Sequence, residues 1–183
     1  MKLFTIMWSH YVPSLKAVCI EQGVELTAFS SKQLNLRPEL LDSIREAMNE
    51  ADVVLLYRTS DPFWEELEPH ILEAGMSRPV VITGSDPGLW SLSSVRPEVS
   101  AAAYSYLLYN GDENLDNLVR YLRAVLFGEN TGYREPAPVA WDGIHHPLMD
   151  GVFNDTGEYL DACRAALGEP AAGWVGLLYS RSN

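Results

Sequence analysis

Apolar residues alternate between strand-like and helix-like spacing along the first half of the chain. Four short apolar runs predict β-strands, at residues 3–8, 24–29, 53–57 and 79–83. The segments between them carry apolar residues at helical spacing, at 13–22, 38–50 and 61–75. The third and fourth runs are almost entirely apolar, which is typical of strands that helices cover on both faces. This alternation predicts an α/β fold, a flavodoxin-like or Rossmann-like three-layer sandwich with a mainly parallel sheet and right-handed crossovers.

The pattern changes after residue 97. Two helical segments joined at Asn110-Gly111 reach residue 128, and a stretch rich in Pro, Gly and Asn follows without an amphipathic period. A short helix at 155–167 and an apolar strand at 174–179 come last. The predicted organisation is an α/β head, an extended connector and a short helix-plus-strand segment, at 1–128, 129–150 and 151–183.

The apolar strand at 174–179 has almost no chain after it to cover it. A strand of this composition normally needs helices on both faces. We therefore expect 151–183 to be the truncated start of a second α/β unit in a longer protein. The alternative is an edge strand that joins the first sheet.

The charge balance excludes some classes of partner. The 183 residues hold 25 acidic against 13 Lys and Arg residues, a net charge of -12, which repels nucleic acid and anionic membrane surfaces. No apolar run approaches the roughly 18 residues of a membrane span, and the amino terminus lacks a signal-peptide pattern. The expectation is a cytoplasmic protein that binds neither nucleic acid nor membrane.

Common catalytic motifs are missing from the sequence. It has no GxxxxGK[ST] loop, no GxGxxG after the first strand, no GxSxG and no HExxH. The two cysteines, Cys19 and Cys163, have no CxxC or metal-finger spacing, which favours buried, reduced thiols. No catalytic residue and no metal ligand is predicted.

Polar and small residues follow each predicted strand. In open parallel sheets ligands bind outside the carboxyl ends of the strands. The residues in that position are Ser9, His10, Ser30, Ser31, Arg58, Thr59, Ser60, Gly84 and Ser85. An Arg, a His and several hydroxyls could bind an anionic or carboxylate-bearing ligand, with Ser9, His10, Arg58, Ser60, Gly84 and Ser85 as the candidates. The simpler interpretation is that each hydroxyl only caps the helix that follows it.

A pair of histidines, His145 and His146, lies in the connector beside Trp141 and Asp142. Adjacent side chains diverge, so a structural turn is favoured over contact with a metal or a tetrapyrrole, although both histidines stay among the ligand-binding candidates. Some aromatic residues could stack on a flat macrocycle, although most should be core or rim: Trp8, Trp90, Trp141, Tyr104 and Tyr109.

Several segments in this order carry a family resemblance. They are MWSHYVPSL, FSSKQL, DVVLLYR, YLLYNGDENLDNLVRYLRAVLFG, EPAPVAWDGIHHP and EYLDACRAALGEPAAGWVGLLYSRS. Together they resemble the amino-terminal region of the CobN-type cobaltochelatase large subunit, which is similar to the magnesium chelatase H subunit. The resemblance runs over almost the whole chain, although each segment alone is unspecific.

The resemblance implies a function that composition and spacing do not. Members of this family are much longer proteins that bind a tetrapyrrole and insert a metal, driven by ATP hydrolysis on separate AAA+ subunits. It implies cobalt as substrate in corrinoid and cobalamin biosynthesis, ATP and Mg²⁺ on the partner subunits, and no cofactor in this fragment. The partners implied are the remainder of the large subunit, the AAA+ ATPase subunits and the tetrapyrrole. The family's metal-insertion residues match no position here, so this region is expected to be inactive by itself.

Two other functions remain open. One is a stand-alone binding or regulatory module that holds a small anionic ligand around Ser9, His10, Arg58 and Ser60. The other, least favoured, is a compact enzyme with His10 as general base, because no nucleophile or partner carboxylate is evident.

Overall fold

The computed structural model describes residues 1–138, 143–146, 148–149 and 152–168. The chain forms two compact units, Met1–Ala137 and Pro138–Asn183. The strand predicted at 174–179 lies outside the described residues, and so does Trp141.

The first unit is built on a parallel sheet of four strands in the order β2-β1-β3-β4. The strands are β1 (Lys2–Met7), β2 (Glu25–Ser30), β3 (Val53–Tyr57) and β4 (Val80–Thr83). The register pairs Leu3 with both Leu26 and Val53, and Val54 with Val80. The α/β fold with a mainly parallel sheet, predicted from the alternation of apolar runs, is confirmed.

Helices connect and cover the strands. They are α1 (Tyr11–Glu21), α2 (Ser31–Leu36), α3 (Leu41–Glu50), α4 (Phe63–Gly75), α5 (Pro97–Tyr109), α6 (Asp112–Phe127) and α7 (Thr156–Leu167), with 3-10 turns at Pro38–Leu40 and Pro87–Leu92. The sequence did not predict α2, because its six residues are too few to show a helical period. The Ser30 hydroxyl caps it by accepting a hydrogen bond from the Gln33 backbone N–H at 3.1 Å.

The two faces of the sheet carry separate apolar cores. Odd-numbered residues of β3, such as Val53 and Leu55, pack with α1, α5 and α6, while even-numbered Val54 and Leu56 pack with α2, α3 and α4. All five residues of β3 are buried. This is the three-layer arrangement that its uninterrupted apolar sequence predicts.

Residues 131–137 are fastened to α5 and α6 by buried amides. Asn114 donates to the Ala137 carbonyl at 2.8 Å and accepts from the Ala137 N–H at 3.0 Å, and Asn117 accepts from the Arg134 N–H at 2.7 Å. The Tyr106 hydroxyl donates to the Arg134 carbonyl at 2.6 Å. The first compact unit therefore reaches Ala137. The division at residues 128 and 150, read from the sequence, stays a prediction.

The described part of the second unit contains α7 and one antiparallel bridge between Ile144 and Phe153. Asp155 caps α7 by accepting from the Glu158 N–H at 2.9 Å. Cys163 is buried on this helix, and Cys19 is buried on α1. The prediction of two buried thiols is confirmed, and burial raises the pKa of the Cys19 thiol to about 11.

Replacing Asn114 should destabilise the first unit, because its amide holds residues 131–137 against α6. In Asn114→Ala two part-buried hydrogen bonds to Ala137 are lost, at about 0.5–1.5 kcal/mol each, so the free energy of unfolding in urea denaturation should fall by about 1–3 kcal/mol. Asn130→Ala is the control, because Asn130 is exposed and lies outside the helices, and it should change stability by less than about 0.5 kcal/mol. Equal effects of the two substitutions would contradict the role given to Asn114.

Stability in alkali should depend on Cys19. Because its pKa is about 11 in the folded chain and lower in an unfolded one, the folded state holds the extra proton and the free energy of unfolding falls as pH rises above about 8.5. Urea denaturation of the wild type and Cys19→Ala at pH 8, 9 and 10 measures this difference. The wild type should lose about 1–2 kcal/mol more than the variant by pH 10, and parallel pH curves would show that the thiol titrates normally.

Candidate functional site

The direction of the crossovers reverses between β1 and β3. From β1 the chain passes through α1 to β2 on one side, and from β2 it returns through α3 to β3 on the other. The helices after β1 and β3 lie on opposite faces of the sheet, since α1 packs in one core and α4 in the other. Such a switch point leaves a crevice at the carboxyl ends of the two strands, the usual ligand position in open α/β sheets.

The structure places six of the sequence candidates at this carboxyl edge. Ser9 and His10 follow β1, Arg58 and Ser60 follow β3, and Gly84 with Ser85 follows β4; of these, Ser9, His10, Ser60 and Ser85 are exposed. His145 and His146 belong to the second unit. The ligand roles of all eight residues stay predictions.

An aromatic row crosses the same edge. Trp8 lies 5.4 Å from Tyr57, Tyr57 lies 6.4 Å from Tyr104, and Tyr104 lies 5.3 Å from Trp90, measured between ring centroids. The His10 ring extends the row at 5.6 Å from Trp8. Trp8 is 36% exposed, whereas Tyr57 is 7% exposed. The row therefore has a buried centre and more exposed ends, and its rings offer flat, rigid apolar surface.

The Trp90 end of the row is held by hydrogen bonds to β4 and to the loop that follows it. The Trp90 indole N–H donates to the Gly84 carbonyl at 3.1 Å. The 3-10 turn that carries Trp90 is anchored to β4, because the Ser93 and Ser94 hydroxyls accept from the Ile82 and Val80 N–H groups at 2.9 and 2.8 Å. β4 is the last strand on its side of the sheet, and the two hydroxyls bind the backbone N–H groups that a further strand would otherwise bind.

Tyr57 is the residue of the row that sequence analysis missed. Burial, and secondarily Tyr104, raise the pKa of its hydroxyl, so Tyr57 is a neutral phenol at physiological pH. Three of the five aromatics proposed as stacking residues, Trp8, Trp90 and Tyr104, lie in the row around it. The available signal was position, since Tyr57 is the last residue of the third predicted strand and so lies at its carboxyl end.

The contacts of Arg58 differ from those expected of an arginine that is available to bind an anion. Its Nη2 donates to Glu68 of α4 at 2.9 Å, and the side chain is only 11% exposed. Its Nη1 is buried without a hydrogen-bond partner among the described residues. Any anion at this edge would compete with Glu68 for the guanidinium charge.

The backbone of Arg58 is also tightly packed against the loop after β4. Gly84 has φ +138°, and a Cβ at this position would collide with the Arg58 carbonyl oxygen. Only glycine combines this backbone angle with this close approach. Gly84 thus sets the distance between the two loops that carry Arg58 and Ser85.

A polar network fixes the loop after β3. The Trp64 indole N–H donates to the Thr59 hydroxyl at 2.9 Å, and that hydroxyl donates to the Asp61 carboxylate. Asn35 donates to the other oxygen of Asp61 at 2.7 Å. The pair Asp61-Pro62 is typical of the start of a helix, but Asp61 does not cap α4: the residue before the helix is Pro62, and no side chain caps it. The carboxylate instead binds Thr59 and Asn35.

The histidine pair has a local structural contact. His146 Nδ1 accepts from the Leu148 N–H at 3.1 Å, and its ring lies 6.3 Å from Tyr159. This is the geometry of a turn. Within the described residues, no group of three or more His, Cys, Asp or Glu side chains could hold a metal ion. No helix in those residues has the length and apolarity required to cross a membrane.

The architecture defines a class: a parallel α/β domain with its candidate site at the carboxyl edge of the sheet. Comparison with known proteins gives a family match for part of the chain. Residues 104–183 match the sequence profile of the CobN/Magnesium Chelatase family. The resemblance stated from the sequence is confirmed over these residues.

Two individual proteins are similar to the chain. The uncharacterized protein MJ1441 of Methanocaldococcus jannaschii is 28% identical over 122 residues, which are 67% of this chain and 9% of that protein. The catalytic subunit of cobaltochelatase from Mycobacterium tuberculosis superposes with a TM-score of 0.58 at 16% identity, over 80% of this chain and 12% of that one. The chain thus spans about a tenth of the length of either protein, and the solved structure establishes a shared fold.

Replacing Gly84 should disturb the edge more than replacing an unhindered glycine. Gly84→Ala adds a collision with the Arg58 carbonyl to the strain of a positive φ, and should cost about 2 kcal/mol or more of unfolding free energy in urea denaturation. Gly23→Ala is the matched control, because Gly23 also has a positive φ, +64°, but has nothing within 4 Å of the added Cβ. It should cost about 1 kcal/mol, and a larger loss at Gly23 would refute the close-packing argument.

Proposed function

We propose that this chain is an amino-terminal part of the large subunit of a tetrapyrrole metal chelatase. The supporting observation is the match of residues 104–183 to the CobN/Magnesium Chelatase family, and a shared fold with a cobaltochelatase subunit agrees with it. The metal proposed is cobalt, inserted as substrate in the biosynthesis of corrinoids and cobalamin. The chain itself is proposed to be non-catalytic and to act in the cytoplasm.

The energy source is proposed to lie on other chains. The sequence has no phosphate-binding loop, so ATP and Mg²⁺ are assigned to AAA+ ATPase subunits that act with the large subunit. The remaining part of the large subunit is proposed to carry the metal-insertion residues. The present chain would then contribute binding or access control rather than chemistry.

The carboxyl edge is the part of this chain that suits a tetrapyrrole best. A tetrapyrrole macrocycle is broad and conjugated, and Trp8, Tyr104 and Trp90 supply ring surfaces around the buried Tyr57 at the switch point. The exposed Ser9 and His10 can donate hydrogen bonds to peripheral carboxylates or amides. The proposed role of this edge is to hold or guide the macrocycle.

Cobalt insertion tests the proposed function directly. The full-length protein that contains this chain is combined with its ATPase subunits, a cobalt-free corrinoid, Co²⁺ and ATP, and the absorbance of the cobalt product is followed. Insertion that requires both ATP and the large subunit is the expected result. Absence of ATP-dependent insertion into any tetrapyrrole would refute the proposal, and a native protein that ends at Asn183 would favour the stand-alone binding module instead.

Binding to the isolated chain tests the role of the edge. A porphyrin or a cobalt-free corrinoid should quench tryptophan fluorescence of residues 1–183 in a saturable titration. The double substitution Trp8→Leu and Trp90→Leu should raise Kd by about 10-fold, because each removes stacking surface. Phe127→Leu is the control, since Phe127 is 45% exposed at the end of α6, and its Kd should be unchanged. Equal Kd values for the wild type, the double variant and the control would show that the macrocycle does not bind at this edge.

A further inference from the structure

The helix α1 carries apolar residues on both of its faces. Leu15 and Val18 are buried in the core, as the inner face of a helix requires. Pro13, Ala17 and Ile20, at spacings of four and three residues, form a second stripe that is exposed and is flanked by the exposed Lys16, and Ile20 is 69% exposed. A helix of an ordinary surface layer is polar on its outer face. The outer stripe of α1 therefore has the character of a surface that another molecule covers.

An open groove lies between α1 and α6, beside this stripe. Its volume is about 550 Å³, within the range of sites that hold several side chains or a small ligand. It is lined by Pro13, Ser14, Ala17, Val18, Glu21, Asp112, Glu113 and Asp116. We call this feature, together with Ile20, the α1–α6 groove. Residues of α1 provide its apolar lining, and carboxylates from both helices provide its charge.

The local environment accounts for some of these carboxylates. Asp112 and Glu113 lie in the first turn of α6, where the helix dipole favours negative charge. Glu113 also pairs with Arg134 at 2.9 Å, and Asp116 pairs with Arg120 at 2.7 Å. These contacts neutralise part of the charge on the α6 side.

Glu21 has no such explanation. It is the last residue of α1, where the helix dipole disfavours a carboxylate, and it shares the groove with three further carboxylates. Among the described residues neither Glu21 nor Asp112 forms an ion pair. The Gln22 side-chain amide donates a hydrogen bond to the Asp116 carboxylate at 2.7 Å. The groove thus brings like charges together around apolar surface, and a cationic ligand would relieve their repulsion.

We propose that the α1–α6 groove is a docking site for a basic, amphipathic segment of a partner protein. Apolar side chains of that segment would cover Pro13, Ala17 and Ile20, and its Lys or Arg residues would pair with Glu21 and Asp112. Recognition of an amphipathic helix in a groove combines these two contributions. A second copy of this chain is disfavoured as occupant, because it has the same net charge of -12. This site is on helices α1 and α6, whereas the proposed macrocycle edge is formed by loops and aromatic rings, so neither assignment requires the other.

A labelled peptide tests this site on the purified chain of 183 residues. The probe is a fluorescein-labelled, 18-residue peptide of Leu, Ala and Lys with its Leu residues on one helical face, and its counterpart has Glu in place of Lys. Fluorescence anisotropy should show saturable binding of the Lys peptide, weaker at high salt, and none of the Glu peptide. The double substitution Glu21→Lys and Asp112→Lys should raise Kd at least 10-fold, and Ile20→Ser should raise it by about 3- to 10-fold.

The control separates the groove from general attraction to an acidic protein. Glu46→Lys with Glu66→Lys makes the same change in net charge on α3 and α4, where both side chains are exposed, and should leave Kd within 2-fold of wild type. Circular dichroism confirms that every variant is folded. An equal loss in the control, or no binding of the Lys peptide to the wild type, would overturn the proposal. So would a wild-type dimer that Ile20→Ser converts to a monomer, because the groove would then hold a second copy.

Discussion

The burial of β3 on both faces constrains everything else in the first unit. Five consecutive apolar residues cannot face water on either side, so each face of the sheet needs its own layer of helices. Parallel neighbours on both sides then require crossover helices, and all carboxyl ends meet at one edge. The candidate site lies at this edge because the loops that follow the strands meet there, on either side of the switch point.

Much of this architecture could be predicted, since it follows from local apolar pattern. The sequences of the four strands and the long helices show an apolar periodicity or an unbroken apolar run, which is visible without knowledge of the fold. The helix α2 could not, because six residues with one buried leucine show no period. Asp61 looks like a helix cap in the sequence, but the tertiary structure brings Thr59 and Asn35 to its carboxylate, and these contacts replace capping.

The candidate site was predictable in position and less so in composition. Counting from strand ends locates His10, Arg58 and Gly84 at the edge, because that rule depends only on topology. It does not show that Arg58 pairs with Glu68, nor that Trp90 returns to the Gly84 carbonyl, since both contacts join segments that are separate in sequence. The aromatic row likewise joins a loop, a strand end, a 3-10 turn and the helix α5, which only the folded chain brings together.

The segment YNGDENLDNLVRYLR, which helped to carry the family resemblance, has a structural explanation in this chain. Asn110 adopts a positive φ at the turn between α5 and α6, and Asn114 and Asn117 hold residues 131–137 through their buried amides. None of these three side chains is a candidate for chemistry at the carboxyl edge. The asparagines of this segment therefore help to build the unit. This explains how the segment can resemble a family although none of its residues is identified as catalytic. The contacts of Asn114 and Asn117 of α6 and of Tyr106 of α5 with residues 131–137 thus join two helices on one face of the sheet, away from the loops of the carboxyl edge.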